Sequence, residues 1–232
     1  MKRSIKSLIG FTIGATDGDI GTVKDFYFEE DHSWTVRYLV VESGGWLNGR
    51  KVLISPDALL IPDCKNETFP TNLNREQIKN SPDIDTKLPV YRQQEIKLHE
   101  QYALENNWRG GFFAGGMPLP MNDAIMKKED EISNKTTNDD LDLRSIEKVV
   151  GYHVKASDGT IGTIGDFLID DANWNIYFIV VDTGNWLSGK SLMISTETVK
   201  DIKWDISEVI LDISIARAKD CPEYDKGELW AL

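Results

Sequence analysis

The amino-acid sequence predicts a mainly β protein built from two small barrels of about five or six strands each, joined by a long linker and accompanied by short helices. Three observations lead to this prediction. One segment occurs twice, its strands carry β-branched and aromatic residues with a period of two, and turn dipeptides separate the strands at short intervals. We assign residues 1–88 to the first module, residues 89–142 to the linker and residues 143–232 to the second module.

The repeat extends over most of each module. Residues 10–26 align with residues 151–167 after a shift of 141 positions. One residue is lost in the following turn, so that from Trp34 and Trp174 onward the shift is 140 positions. Coincidence does not produce such a match, and we therefore interpret the chain as a tandem duplication.

Turn and bulge signals mark the beginning of each module. Asp17-Gly18 and Asp158-Gly159 are typical hairpin dipeptides, because glycine tolerates the positive φ that a tight turn requires. Gly21 and Gly162 lie inside strand patterns, where a glycine indicates a bulge or the close approach of another backbone. The sequence therefore predicts that a distorted hairpin opens each module.

An aromatic strand and a short helix follow in each module. Residues 34–41 and 174–181 are β-branched and aromatic, which is typical of half-buried strands. Helices are predicted at Asn74–Asn80 and Ser214–Asp220, because Asn and Ser are favourable N-caps and a proline follows each segment. Since each module has its own aromatic and branched residues, we expect each to bury them as an independent unit.

Two features of the linker region are also distinctive. Residues 90–104 are predicted to form a helix, with Leu98 and Tyr102 four positions apart on one face. Phe112 and Phe113 follow in a glycine-rich segment. This aromatic pair either docks on a barrel or presents a patch to a partner, and we favour docking.

The motifs occur in the same order in both modules. Residues 10–26 and 151–167 carry a strand, Asp-Gly, x-Ile-Gly and x-Asp-Phe, and residues 44–50 and 184–190 carry Gly-x-Trp-Leu-x-Gly-Arg/Lys. This order resembles the PRC-barrel family, named for the photosynthetic reaction centre whose H subunit contains such a domain. The resemblance implies two barrels of this type, as in bacterial proteins with a tandem pair, and a role in interaction or assembly. It implies no catalytic residues.

Composition limits the class of function. The chain has a formal net charge of −12 with 41% apolar and 28% charged residues, the balance of a folded, soluble protein. A surface this acidic repels phosphate, so we do not expect nucleic-acid binding, and no apolar stretch is long enough for a membrane span. The two cysteines, Cys64 and Cys221, do not occupy equivalent positions, which favours a reducing cytoplasm over a disulfide framework.

Side chains with catalytic or metal-binding chemistry do not form a recognisable motif. We interpret Asp17–Asp19 as a hairpin turn, because the oxygen ligands that a calcium loop requires are missing at later positions. We interpret Glu29–Asp31 and Asp170–Asp171 as solvated charges in a connection between strands. The histidines are scattered. The sequence therefore predicts no catalytic residue, no metal ligand and no cofactor.

The duplicated tryptophan loop gives the candidate binding residues, which are Trp46, Arg50, Trp186 and Lys190. An indole beside a cation in a loop is typical of interaction hot spots, and the pair could stack as a cation–π contact. Alternatively, each indole fills the end of its barrel and each cation pairs with a nearby carboxylate. On the sequence alone we favour this second, structural explanation.

The functional hypothesis is a non-enzymatic cytoplasmic interaction or assembly module with a protein partner and possible self-association. The absence of a catalytic motif supports this hypothesis. The alternative is a small-ligand or metal-binding sensor with a cleft between the two barrels, because interfaces between domains often form pockets.

Overall fold

The computed structural model describes residues 2–29, 33–79 and 143–225. The described part is mainly β, with two sheets and a few short helices, which confirms the predicted fold class. The predicted helix at residues 90–104 and the Phe112–Phe113 pair lie outside the described residues.

The second module repeats the elements of the first in the same order and has two in addition, a short helix after its first strand and a strand before its last strand. The described elements of the first module are β1 (Lys2–Ser4), β2 (Thr12–Ala15), β3 (Gly18–Glu29), β4 (Val36–Ser43), β5 (Lys51–Ile54), β6 (Thr68–Pro70) and α1 (Arg75–Lys79). Those of the second module are β7 (Leu143–Ser145), α2 (Ile146–Val149), β8 (His153–Ala156), β9 (Gly159–Asp170), β10 (Ile176–Asp182), β11 (Ser191–Ser195), β12 (Val199–Lys203), β13 (Glu208–Leu211) and α3 (Ile215–Lys219). Short 3-10 turns connect several of the strands.

Each sheet is centred on one long, bent strand. The first sheet has the order β5-β4-β3-β2-β6, and the second has the order β11-β10-β9-β8-β13-β12. The β2–β6 and β8–β13 pairs are parallel, whereas the other pairs along these two paths are antiparallel. The strands that the two modules share therefore have the same topology, and β12 extends the second sheet beyond β13.

The first strand of each module pairs with the sheet of the other module. Strand β1 pairs with β9, with Ser4 opposite Leu168, and strand β7 pairs with β3, with Ser145 opposite Tyr27. Because Ser4 and Ser145, and likewise Tyr27 and Leu168, are equivalent positions, the exchange is reciprocal. The expectation that each half is an independent unit is therefore wrong, since each sheet is completed by a strand from the other module.

Close backbone packing explains the glycines inside the long strands. A Cβ atom on Gly21 would lie 2.0 Å from the carbonyl oxygen of Glu42, and one on Gly162 would lie 2.1 Å from that of Asp182. The β2–β3 and β8–β9 registers also shift beside these glycines. Both explanations offered by the sequence, a bulge and a close backbone approach, are confirmed.

The predicted terminal helices form with the predicted caps. The backbone N–H of Gln77 donates to Asn74 Oδ1 at 2.8 Å, while Gln77 Oε1 accepts from the Asn74 N–H at 2.9 Å. This reciprocal pair is a capping box. At the start of α3, Ser214 Oγ accepts a hydrogen bond from the backbone N–H of Arg217 at 3.2 Å.

One hydrophobic core extends through both modules. The Trp174 ring of the second module lies 6.3 Å from the Phe26 ring and 5.9 Å from the Phe69 ring, which both belong to the first module. Phe28 and Phe167, the last aromatic residues of their long strands, lie 6.3 Å apart. Since aromatic pairs stabilise beyond the area that they bury, these contacts strengthen the packing of one module against the other.

Candidate functional site

The predicted binding loops lie at equivalent positions. Gly45–Leu47 forms a 3-10 turn between β4 and β5, and Gly184–Leu187 forms its counterpart between β10 and β11. The Trp46 ring is partly buried against the core, and its Nε1–H donates to the Ile20 carbonyl at 2.6 Å. The guanidinium of Arg75, the first residue of α1, lies 5.4 Å from the ring centroid. The cation near this indole therefore comes from a helix rather than from the loop.

The two predicted loop cations contact other groups. Arg50 Nη1 donates to the carbonyl oxygen of Lys79, at the end of α1, at 3.3 Å. Lys190 Nζ forms an exposed ion pair with Glu223 Oε2 at 2.6 Å. The side chain of Trp186 lies outside the described part of the structure. A binding role for the four candidate residues stays a prediction.

Two of the acidic residues interpreted as solvated charges form ion pairs with little exposure. Glu29 Oε2 lies 2.5 Å from Arg37 Nη2, and the Glu29 side chain is only 4% exposed. Asp171 Oδ2 lies 2.5 Å from Arg3 Nε, in the strand that the first module lends to the second. The interpretation as solvated charge is therefore wrong for Glu29 and Asp171. It fails because the partner cations come from neighbouring strands.

The acidic hairpin turn has a structural role. Asp17 Oδ1 accepts a hydrogen bond from the backbone N–H of Arg75 at 2.9 Å, and Asp158 Oδ1 accepts one from Ile215 at 2.7 Å. Each turn aspartate therefore fixes the start of the terminal helix of its own module. Within the described ranges, no group of three or more His, Cys, Asp or Glu side chains is arranged to hold a metal ion.

A buried aspartate holds the exchanged strand of the second module. Asp25 accepts hydrogen bonds from Ser145 Oγ at 2.6 Å, from the Glu147 N–H at 3.0 Å and from the Phe26 N–H at 2.8 Å. Ser145 Oγ also accepts from the N–H of Lys148 and caps α2. The carboxylate of the first module thus fixes the turn by which the second module begins.

The equivalent aspartate of the second module makes the reciprocal contacts. Asp166 accepts hydrogen bonds from Ser4 Oγ, from the Lys6 N–H at 3.2 Å and from the Phe167 N–H at 2.7 Å. Burial raises the pKa of Asp166 and, likewise, the pKa of Asp25, and the hydrogen bonds oppose that rise in part. We call the contacts of Asp25 with Ser145 and of Asp166 with Ser4 the exchange latches.

The modules also meet at a central crossing. The N–H of Val36 donates to the Trp174 carbonyl at 2.9 Å, and the N–H of Ile176 donates to the Trp34 carbonyl at 2.7 Å. Trp34 and Trp174 have positive φ values of 48° and 59°. Positive φ is uncommon for a bulky residue, so packing at the crossing must hold these two backbones in place. The crossing, like the exchange, consists of pairs of equivalent contacts.

Two equivalent clefts flank the crossing, and they differ in size. The cleft lined by Trp34 has a volume of about 360 Å³, whereas the equivalent cleft lined by Trp174 has a volume of about 70 Å³. Each is lined by the tryptophan of one module and by strand residues of the other. A cleft between the modules therefore exists, as the alternative hypothesis requires. The equivalent lining positions are Trp34 and Trp174, Asn175 and Thr35, Tyr177 and Arg37, and Glu197 and Asp57.

The outer edges of the two sheets differ in chemistry. In the first module Leu60 and Ile61 are 55% and 88% exposed, on the segment that runs beside β6. The equivalent residues on β12 are the exposed Lys200 and Asp201. At these equivalent positions, one module therefore has an apolar edge and the other a charged edge.

Sequence reasoning missed the exchange latches and the crossing. The signal for the latches was present, because Asp25 and Ser4 recur as Asp166 and Ser145 with one constant shift. The edge residues were also missed, and comparing the two copies for loss of charge would have found them. Among residues 2–29, 33–79 and 143–225, no helix has the length and the apolar composition needed to cross a membrane.

Comparison with known families agrees with the topology of the first module. Residues 2–68 match the model of the PRC-barrel domain, a range that begins at β1 and reaches β6. The comparison with curated proteins finds none that matches. The second module, which lies outside the matched range, has the strand order of the first with β12 added at the end. Residues 2–68 of this chain therefore belong to the PRC-barrel family.

Proposed function

We propose that the protein is a non-enzymatic cytoplasmic module that binds a protein partner through the apolar edge of its first module. The observation that carries this proposal is the exposure of Leu60 and Ile61 where the second module has Lys200 and Asp201. Charged side chains commonly protect a sheet edge from association, and adjacent exposed apolar side chains commonly mark an interaction site.

Side-chain packing is the contact that this edge favours. Pro62 follows Ile61, and proline has no N–H to offer to an added strand. The backbone N–H groups of Leu60 and Asp63 already donate to carbonyl oxygens of β6, those of Pro70 and Thr68. We therefore propose a partner that covers Leu60 and Ile61 with an apolar surface of its own, rather than one that extends the sheet.

Two further observations support the proposed cytoplasmic location and the proposed binding role. Cys64 and Cys221 are both free thiols, which is the usual state of cysteine in a reducing cytoplasm. The shared core and the exchanged strands hold the two modules as one body, and a rigid surface loses little entropy on binding.

The test replaces the apolar edge with the residues of the second module. The double variant Leu60→Lys, Ile61→Asp is used as bait with native lysate, and recovered proteins are quantified by mass spectrometry against the wild type. We expect the recovery of a specific partner to fall about tenfold or more, as for the loss of a central hot spot. Equal recovery with the folded double variant would refute the proposal.

Two controls follow from the duplication and from the tryptophan loops. Ile206→Asn gives the second module the residue of the first at an exposed apolar position and should leave recovery unchanged. Trp46→Ala and Trp186→Ala test the predicted loop sites. Circular dichroism must show that each variant is folded, since Trp46 is partly buried.

A small-molecule sensor is the second candidate function, and the enlarged cleft beside Trp34 favours it. With a volume of about 360 Å³, this cleft is within the size range of ligand pockets, and Tyr177 at its rim is 38% exposed. Its lining offers aromatic faces, neutral polar groups and the carboxylate of Glu197, which suit a small organic molecule with hydrogen-bond donors or a positive charge. Tyr177→Arg copies the residue of the smaller cleft and should abolish a ligand-induced rise in melting temperature, whereas Glu197→Asp should retain it.

A further inference from the structure

The contacts between the two modules have the pattern of a two-fold symmetric dimer. Each strand pairing, latch and crossing bond described above occurs twice, once in each direction. In a two-fold interface, a residue i that contacts j is matched by an equivalent j that contacts i. The reciprocal pairings of Lys2 with Asp170 and of Leu143 with Glu29 follow this rule within a single chain.

Each module is incomplete without its counterpart. In the first sheet, β3 pairs with Leu143–Ser145 of the second module, and the buried Asp25 accepts a hydrogen bond from the Ser145 hydroxyl. The second sheet needs Lys2–Ser4 on β9, and the nearly buried Asp171 needs Arg3. A buried carboxylate that loses its donors is costly, so each module strongly favours having a counterpart in place.

None of these contacts depends on which chain supplies the counterpart. The modules are connected through residues 80–142, a length of chain that extends to on the order of 200 Å at most. A second copy of the protein presents the same β9 edge, the same aspartate and the same tryptophan crossing. The free energy that separates pairing within one chain from pairing between chains is therefore mainly the entropy of connection.

We propose that two copies of this protein assemble by exchanging whole modules, the first module of each chain pairing with the second module of the other. The exchange is closed, because two such pairs satisfy the first-strand pairings, the latches and the crossing of both chains and leave none of these contacts to recruit a third chain. Linking two binding modules in one chain typically gives an effective concentration of about millimolar, so pairing between chains competes when the local protein concentration approaches that value. This self-assembly uses surfaces distinct from the apolar edge and goes beyond the partner binding proposed above.

Disulfide trapping tests the proposal on the full-length chain. Both native cysteines are replaced by serine, one chain carries Lys2→Cys, and a second chain with a different tag carries Asp170→Cys. These positions are direct partners in the antiparallel β1–β9 pair, a geometry within reach of a disulfide. The mixture is unfolded, refolded at about 10 μM or at about 1 mM, and oxidised. We expect a covalent heterodimer whose yield is at least about tenfold greater at the higher concentration.

In the matched control, the cysteine of the second chain is placed at Glu29, which is the first-module position equivalent to Asp170. A mixture of Lys2→Cys and Glu29→Cys chains should give only the background level of heterodimer, because Glu29 pairs with Leu143. The double variant Lys2→Cys, Asp170→Cys should close within one chain at low concentration.

Two results would overturn the proposal. In the first, the mixture at about 1 mM gives no more heterodimer than the Glu29→Cys control, while the double variant still forms its disulfide within one chain. The strands would then be exchanged only between modules of the same chain. The other is closure of Lys2→Cys with Glu29→Cys inside one chain, which would return each first strand to its own module. Either result leaves the partner recovery assigned to Leu60 and Ile61 untouched, so the two proposals fail separately.

Discussion

Ser145 Oγ donates a 2.6 Å hydrogen bond to Asp25 Oδ2, a buried carboxylate that lies 120 positions earlier in the sequence. Together with its equivalent between Ser4 and Asp166, this bond ties the beginning of each module to the long strand of the other. The two latches therefore link the packing of the modules to the protonation of Asp25 and Asp166 and to the hydroxyl groups that donate to them.

The latches predict the sign of one pH dependence. Burial raises the pKa of Asp25 and of Asp166 above the unfolded value, so the folded state binds protons more tightly at these sites. Their contribution to the free energy of unfolding is greatest below the unfolded pKa, about 4, and is lost as pH rises through the raised values. The double variant Asp25→Asn, Asp166→Asn has no carboxyl group to titrate at these sites, so it should not lose this stability as pH rises. Urea unfolding from pH 4 to 8 should therefore show the variant gaining stability relative to the wild type as pH rises.

An exposed aspartate gives a control of opposite sign. Hydrogen bonds from Asn66 lower the pKa of Asp63, so its contribution to the free energy of unfolding is present above the unfolded pKa and is lost as pH falls. Asp63→Asn should therefore lose stability relative to the wild type as pH rises through the acid range. A difference between the latch variant and the wild type that stays constant with pH would contradict the latch prediction.

Removing a latch hydroxyl should weaken the fold. Ser145→Ala leaves the buried Asp25 carboxylate without its side-chain donor, and we expect a loss of about 1.5 to 3 kcal/mol in the free energy of unfolding. Ser4→Ala should have a similar effect through Asp166. Denaturant titration measures both changes. Ser157→Ala, in an exposed turn, should change stability by less than about 0.5 kcal/mol, and an equal effect of all three variants would refute the latch.

The close backbone approach at Gly21 predicts a strong steric effect. Gly21→Ala would bring a methyl group against the Glu42 carbonyl, and we expect a loss of about 1 to 3 kcal/mol or more. Gly45→Ala is the control, because a Cβ there meets no atom within 4 Å. Thermal unfolding of both variants checks the prediction, and a Gly21→Ala protein as stable as the control would contradict the described β3–β4 packing.

The shared core predicts a single unfolding transition for the two modules. Trp174 packs on Phe26 and Phe69 of the other module, and each sheet contains a strand from its counterpart, so neither module should unfold alone. Calorimetry should give a ratio of calorimetric to van't Hoff enthalpy of about 1. Two resolved transitions, each shifted by mutations in only one module, would show that the modules fold independently.

Local signals in the sequence predicted the local structure well. The Asp17-Gly18 turn, the Asn74 and Ser214 caps and the Gly21 bulge depend on the conformational preferences of a few adjacent residues. Such preferences are visible in any sequence. The mainly β class was predictable for the same reason.

The partners of distant groups could not be predicted in this way. A three-residue strand such as Lys2–Ser4 meets two nearly identical edges, β3 and β9, and its sequence does not discriminate between them. The cation over Trp46 proved to be Arg75, which lies far along the chain but close in space. Burial of Glu29 likewise depends on Arg37, which is contributed by a neighbouring strand.

The reciprocal first strands also constrain how the gene can change. Deleting one copy would remove Ser4 or Ser145 from the carboxylate that needs it, so the remaining copy would have to recover its own strand or borrow one from another polypeptide. Selection therefore acts on the two copies jointly at these positions. The outer edges have no such shared contact, because Ile61 faces solvent in one copy and Asp201 in the other. Each copy can therefore change there independently.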